Sequence, residues 1–288
     1  LYYYNRIFRG RALAASTRYR IAMPHLGRVL IIAGSDSGGG AGVQADIKTV
    51  TILGGYAASA ITAVTVQNTL GVSSVHPIPP EIIAAQARAV LSDIGADAIK
   101  TGMLGDAATV ALVAELLDEA KVPAVIDPVM VAKGGASLLA AEAVAAVRGL
   151  LIPCAALLTP NAPEAEALTG LTVETTDDLR RAGEALLKAG AQAVLMKGGH
   201  VAGDRLVDVL MTPEGETAFE GPRIATRHTH GTGCTLASAC AAGLAQGLSL
   251  TQAVARAWDY VHCAIETAPG LGAGHGPLDH GWPLRGRR

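Results

Sequence analysis

The chain is predicted to fold as an α/β protein with a mostly parallel central sheet and helices on both faces. Two observations predict this. Short apolar runs alternate along the chain with stretches of helical spacing, the pattern of repeated β-then-α units. Polar and glycine-rich clusters gather where the apolar runs stop, which is where open α/β sheets place their ligands. Size and composition agree: 288 residues, 50% hydrophobic and 17% charged, suit one large α/β domain and leave no case for disorder in the bulk of the chain.

The elements follow in order. Residues 29–33 form a short apolar run ending at glycines, a buried strand, and 43–53 have helical spacing. Residues 57–66, rich in Ile, Thr and Val, are a strand. A helix over 80–94 starts at Pro80, where the missing N–H costs little. Residues 98–101 are a strand, and Asp106 is placed to cap a helix over 106–120. The strand at 124–127 stops at Pro128, 140–150 are helical, and a strand at 156–159 stops at Pro160. Helices are expected over 163–168 and 177–189, then a strand at 193–196. Residues 207–211 and 216–219 flank Pro213, Glu214 and Gly215, an antiparallel hairpin. Two helices close the chain. There is no fixed-period repeat and no low-complexity linker, so one domain is expected.

Composition also excludes. A net charge of −2 provides no global basic field for nucleic acid or anionic lipid, and 3% aromatics argue against base-stacking platforms. Cys154, Cys234, Cys240 and Cys263 contain no CxxC pair, a pattern suited to a reducing, cytoplasmic setting rather than a disulfide framework. No apolar run has the length of a membrane span. The first 22 residues, with five arginines and no acid, differ from the rest. Such starts mark organelle transit peptides; translation from upstream of Met23 is the plainer reading. Residues 1–27 are therefore set apart as an extension, disordered or upstream of the true start, and 28–288 as the folded domain.

The densest motif is HGTGCT at 230–235, heading a run of small residues. A Gly-Thr-Gly turn opening a helix offers unpaired N–H groups and a positive dipole end to an anion. The same field would lower the pKa of Cys234 toward the thiolate. The competing reading is a loop before a core helix with an inert cysteine. Other polar strand ends are GSDSGGGAGVQAD at 34–46, QNT at 67–69, KTGM at 100–103, DPVM at 127–130, TPNAPE at 159–164 and KGGH at 197–200.

Two nucleotide readings of the first glycine cluster fail. A dinucleotide fingerprint at 40–45 needs a ribose-binding acid about twenty residues on, and after Asp46 the next acid is Glu81. A phosphate-binding P-loop needs Gly before its Lys, and Ile47 precedes Lys48. Asp46, one turn into the following helix, can either accept hydrogen bonds from a small substrate or be a solvated helix residue. The His228/His230 and His275/His280 pairs lack Cys or Glu at ligand spacing, so structural or solvated histidines are expected rather than a metal site. No G-x-S-x-G elbow supports a serine hydrolase.

Taken together and in this order, these motifs resemble the hydroxymethylpyrimidine/phosphomethylpyrimidine kinases of thiamine biosynthesis, members of the ribokinase-like superfamily. The resemblance runs from about Arg28 to His280. It implies a ribokinase-like fold and ATP-dependent, Mg²⁺-assisted phosphorylation of 4-amino-5-hydroxymethyl-2-methylpyrimidine, then of its monophosphate. It implies that Asp46 and Gln67 contact the pyrimidine, and that Gly34, Met103 and Val129 line its pocket. Gly231, Thr232 and Gly233 would hold the transferring phosphoryl group, and Cys234, where most sugar kinases of the superfamily carry aspartate, would be the general base. Asp127 and Glu164 would organise Mg²⁺, with Asn161, Lys197 and Thr232 on ATP. Lys133, Gly134 and Gly135 would belong to a flap. The family suggests a homodimer; composition points to the cytoplasm and to no nucleic-acid or membrane partner, and no thiamine-phosphate synthase domain is expected in this chain, which ends soon after its last helix. The rivals are a pyridoxal kinase of the same superfamily and a non-catalytic vitamin- or nucleotide-binding protein. An NAD-dependent oxidoreductase is disfavoured by the missing ribose acid.

Overall fold

The computed structural model describes residues 26–130 and 141–285. Most of the N-terminal extension and the residues expected to form a flap lie outside them. Nine strands form one sheet: β1 (Arg28–Ser35), β2 (Tyr56–Asn68), β3 (Gly71–Pro77), β4 (Ala98–Thr101), β5 (Ala124–Ile126), β6 (Leu157–Leu158), β7 (Val194–Met196), β8 (Arg205–Thr212) and β9 (Gly215–Pro222). Their order is β3-β2-β1-β4-β5-β6-β7-β8-β9. The six central strands, β2 through β7 in that order, run parallel; β3 on one edge and β8 and β9 on the other pair antiparallel.

The helices are α1 (Gly42–Ile52), α2 (Pro80–Asp93), α3 (Ala107–Ala120), α4 (Ala141–Ala146), α5 (Ala162–Thr169), α6 (Thr176–Lys188), α7 (Thr232–Ala245), α8 (Leu250–Glu266) and α9 (Trp282–Arg285). Helices α1, α7 and α8 pack on one face and α2 to α6 on the other. This explains why the inner strands read as unbroken apolar runs. In β1, Val29, Ile31 and Ala33 enter the first core while Leu30 and Ile32 enter the second. Asp106 caps α3 by accepting from Thr109 N at 2.8 Å, as its position predicts. The expected hairpin is β8–β9, closed by the Thr212–Gly215 pair.

Three elements differ from expectation. Strand β3 follows β2 through a turn at Thr69 and Leu70, yet none of its side chains is buried, so GVSSVHP carries no apolar alternation. The helix expected over 140–150 is α-helical only to Ala146, continues as a π turn over Val147–Leu151, and ends in a 3₁₀ turn containing Pro153. The short α9 lies beyond the two expected closing helices.

Candidate active site

The parallel strands all end at one edge of the sheet, and their loops surround a cavity of about 970 Å³. The cavity wall includes Gly34, Gln67, Met103, Val129, Asp127, Asn161, Glu164, Lys197 and the whole turn from Gly231 to Cys234. One structure thus brings together every expected site residue except Asp46.

Asp46 requires correction. It is fully buried behind the wall, where both carboxylate oxygens hold Lys100 Nζ at 3.0 and 2.8 Å and Oδ1 also accepts from Ser238 Oγ at 2.6 Å. Its acceptors are taken, and it neither contacts a ligand pocket nor meets solvent. The carboxylate of the first glycine loop that does line the cavity is Asp36. Its Oδ1 accepts from Gly38 N at 2.8 Å, and its Oδ2 accepts from Gly40 N at 3.1 Å and Ala41 N at 2.8 Å. His230 Nε2 lies 2.8 Å from the same Oδ2, and Gln67 Nε2 lies 3.3 Å from His230 Nε2. Burial works to raise the Asp36 carboxyl, but His230 and the loop N–H groups outweigh it and hold it below the ordinary range.

The anion turn is built by close packing. Gly231, the residue before α7, has φ 84°. A Cβ there would overlap the Gly40 carbonyl, so the first glycine loop and the turn touch backbone to backbone. No side chain caps α7, so the first-turn N–H groups of Gly233 and Cys234, residues that line the cavity, have no side-chain acceptor at the helix start. A C-terminal segment braces the turn. His230 N donates to Gly276 O at 3.1 Å, Thr235 Oγ1 pairs with His280 Nε2 at 3.0 Å, and Tyr260 donates to His280 O at 2.7 Å. Burial lowers His280 to about 4, so its ring is neutral.

Cys234 is half-buried beside this turn. Its expected low pKa is overturned: burial pushes the thiol up to about 11, with Asp46 and Asp127 adding to the rise. Lys100 and the Gly42 N–H oppose the rise without cancelling it.

Lys197 reaches in from the end of β7, with Nζ 2.9 Å from Asp127 Oδ1 and 3.7 Å from Glu164 Oε2. Thr159 Oγ1 also donates to Asp127 Oδ1, at 3.1 Å. Glu164 and Asn161 form the capping box of α5, so the Asn161 side-chain oxygen and one Glu164 oxygen each accept a backbone N–H. Burial raises Glu164 to about 7 despite Lys197. At the far end the wall is Leu206, Ile224, Val261, Ile265 and Trp258, the last stacked on His262 with centroids 5.0 Å apart. Asp208 accepts from Gly198 N at 2.8 Å, and Arg223 donates to Gly199 O at 2.8 Å. Both fasten the loop after Lys197.

Sequence reasoning passed over Asp36, Lys100 as the partner of Asp46, and this far wall, and it weighed His230 as structural or solvated. The signal for His230 was its place directly before the Gly-Thr-Gly turn.

Similarity to known proteins agrees with the geometry. Residues 36–279 match the family model described as phosphomethylpyrimidine kinase. The hydroxymethylpyrimidine/phosphomethylpyrimidine kinase of Streptomyces coelicolor is 52% identical over 256 residues, covering 89% of this chain and 95% of that one. The bifunctional thiamine biosynthesis protein ThiED of Geobacter sulfurreducens is 52% identical over 255 residues; the match covers 88% of this chain and 52% of that longer protein. Among solved structures, an ADP complex of Bacillus subtilis pyridoxal kinase superposes with a TM-score of 0.84 at 38% identity, covering 90% of this chain and 99% of that one. Phosphomethylpyrimidine kinase from Clostridium difficile superposes with a TM-score of 0.74 at 41% identity, covering 83% and 99%. With the matched model spanning most of its length, the chain belongs to the phosphomethylpyrimidine kinase family.

Proposed function

We propose that the protein transfers the γ-phosphoryl group of ATP to the hydroxymethyl oxygen of 4-amino-5-hydroxymethyl-2-methylpyrimidine, and phosphorylates the resulting monophosphate to the diphosphate. The observation that carries this is a single cavity with a ring-sized polar end, a central anion turn beside a thiol and a lysine, and an apolar far wall. Two substrates can meet there in line. Residues 28–288 act as one catalytic domain.

Gly34, Met103 and Val129 enclose the pyrimidine, with Gln67 supplying a polar contact and the thioether packing on the ring edge. Asp36 and His230 hold the loop that shapes this end. The N–H groups of the anion turn receive the negative charge of the phosphoryl group, and Lys197 adds a positive one. Cys234 is the general base for the substrate hydroxyl. Because its thiol is raised, the reactive thiolate is a minor form whose share grows with pH.

Asp127, Glu164 and Asn161 form an oxygen-rich donor set that suits Mg²⁺. Lys197 already occupies Asp127 Oδ1, so the fit is to a hydrated ion held through water. When bound, that ion neutralises charge on the ATP phosphates. Exposed Val64, Val66 and Leu70 on β2 and its turn support a homodimer, which burial of such side chains would favour. No helix among the described residues is long and apolar enough to cross a membrane, and we place the enzyme in the cytoplasm.

The deciding experiment compares kcat/KM for the hydroxymethylpyrimidine with that for pyridoxal. A strong preference for the pyrimidine is expected, and a preference for pyridoxal rejects the assignment.

A further inference from the structure

A charged network lies one layer behind the cavity wall. Lys100 and Asp46 are both fully buried, and Ser238 completes a closed set with them. Two helix faces assemble it. Gly42 and Asp46 are one turn apart on α1, and Cys234 and Ser238 are one turn apart on α7. The Gly42 N–H reaches the Cys234 sulfur, and one turn deeper Ser238 reaches Asp46. Lys100 rises from β4, its ammonium 3.0 Å from where a Cβ on Gly102 would stand, and Gly102 itself lines the cavity.

A buried ion pair is poor value for stability alone, since apolar replacements of similar volume are often as stable. Its placement against the thiol suggests another role. We propose that the Lys100–Asp46–Ser238 network is a positioning group that stabilises the negative charge on Cys234 from which the sulfur accepts the substrate's proton. This rests on Cys234 being the base. In that step the hydroxymethyl proton moves to the thiolate, giving a neutral thiol. The oxygen forms its bond to the γ-phosphorus as the bond to the ADP oxygen breaks, its electrons leaving with ADP. The thiol then returns its proton to solvent.

The charged groups around Cys234 are Lys100 from β4, Asp46 from α1, Asp127 after β5 and Lys197 after β7. Burial is the largest influence on the thiol and Lys100 is the strongest against it, ahead of Asp46 and Asp127, which act in the opposite sense. Burial also works against the Lys100 ammonium, but Asp46 foremost, with Cys234 and Asp127, holds it above its ordinary range. Asp46 thus keeps Lys100 charged, and Ser238 fixes Asp46.

The test measures the rate of Cys234 alkylation by iodoacetamide between pH 7 and 9 on the full chain, resolved from the other cysteines by mass spectrometry. Lys100→Met should slow it about tenfold at each pH, the effect of moving the thiol about one unit upward. Because that variant leaves Asp46 unpaired, Asp46→Asn/Lys100→Met is measured beside it. The double variant leaves no unpaired charge where this pair stood and should be slowed in the same direction, with the pH profile of kcat displaced in the same sense and KM for the aminopyrimidine little changed. A folded double variant that alkylates like the parent overturns the network's role. Full turnover in Cys234→Ala instead overturns the base reading, and with it the catalytic purpose of the network.

Discussion

Gly231→Ala tests the packing of the anion turn. The new methyl would overlap the Gly40 carbonyl oxygen, stand 2.8 Å from its carbon and lie 3.2 Å from Ala41 Cα. Relief requires the two loops to part by roughly 1 Å. Gly40 cannot retreat freely: its N–H is held by Asp36, and a side chain on it would already meet His230 and Pro277. The backbone at φ 84° costs a non-glycine residue about 1 kcal/mol. Overpacking adds about 1–3 kcal/mol. The sum, about 2–4 kcal/mol, lowers Tm by roughly 4–8 °C in a domain of this size. A shift of roughly 1 Å in the phosphoryl-holding N–H groups should cut kcat about 100-fold. Gly247→Ala is the control, with φ 81° and nothing within 4 Å of its added methyl. It should lose about 1 kcal/mol from backbone conformation and keep its kcat. Differential scanning fluorimetry and steady-state kinetics on both variants provide the readout. If Gly231→Ala matches Gly247→Ala in both Tm and kcat, the close approach of the two loops does not shape the site.

Other outcomes follow from the same geometry. Lys197→Met leaves Asp127 and Glu164 facing each other without their shared cation, and kcat/KM for ATP should fall about 10²–10³-fold; a change under threefold would remove Lys197 from the phosphate site. In Gly34→Ala the methyl meets only the flexible end of Met103, so KM for the pyrimidine should rise several-fold, roughly, with Tm nearly unchanged. Equal effects on KM for ATP would contradict this. With the thiol near 11, kcat/KM should climb with pH through 7 to 9, and a flat profile would argue against a thiolate base. His280 falls from 6.5 to about 4 in the fold, so the unfolded chain binds the extra proton between those values and stability rises with pH across that window, by at most about 3 kcal/mol. His280→Gln should lack this increment, so its Tm relative to the parent should be better at pH 4.5 than at pH 7. A constant Tm difference across that range would refute the assignment.

The core strands were legible because burial on both faces writes an uninterrupted apolar run such as VLIIA into the chain. Strand β3 was not, because an exposed edge strand needs no apolar pattern and is defined by backbone pairing to β2 alone. Strand-end loops disclosed nearly the whole site, since polar residues at the end of an apolar run have few other purposes. What stayed hidden was pairing at long range. Asp46 looks like a free carboxylate on a helix until Lys100, 54 residues away, is seen to hold it. Asp36 and His230 are separated by 194 positions, and no local spacing links them. The Cys234 thiol went the other way from its expected shift because a helix terminus acts over one turn, whereas desolvation depends on everything packed around the sulfur.

The bracing of the anion turn by residues 276–280 has a consequence for synthesis. The loop after β1 leaves the ribosome early, but its Gly40 and Asp36 close on His230, whose own support comes from Gly276 and Pro277. Segments far apart in the sequence therefore meet at the turn from Gly231 to Cys234. A nascent chain can pair its central strands long before that meeting, yet the Gly-Thr-Gly turn is braced only once residues 276–280 have emerged. The turn is thus fully braced only after residue 280 has been synthesised, about 240 positions after the loop it touches.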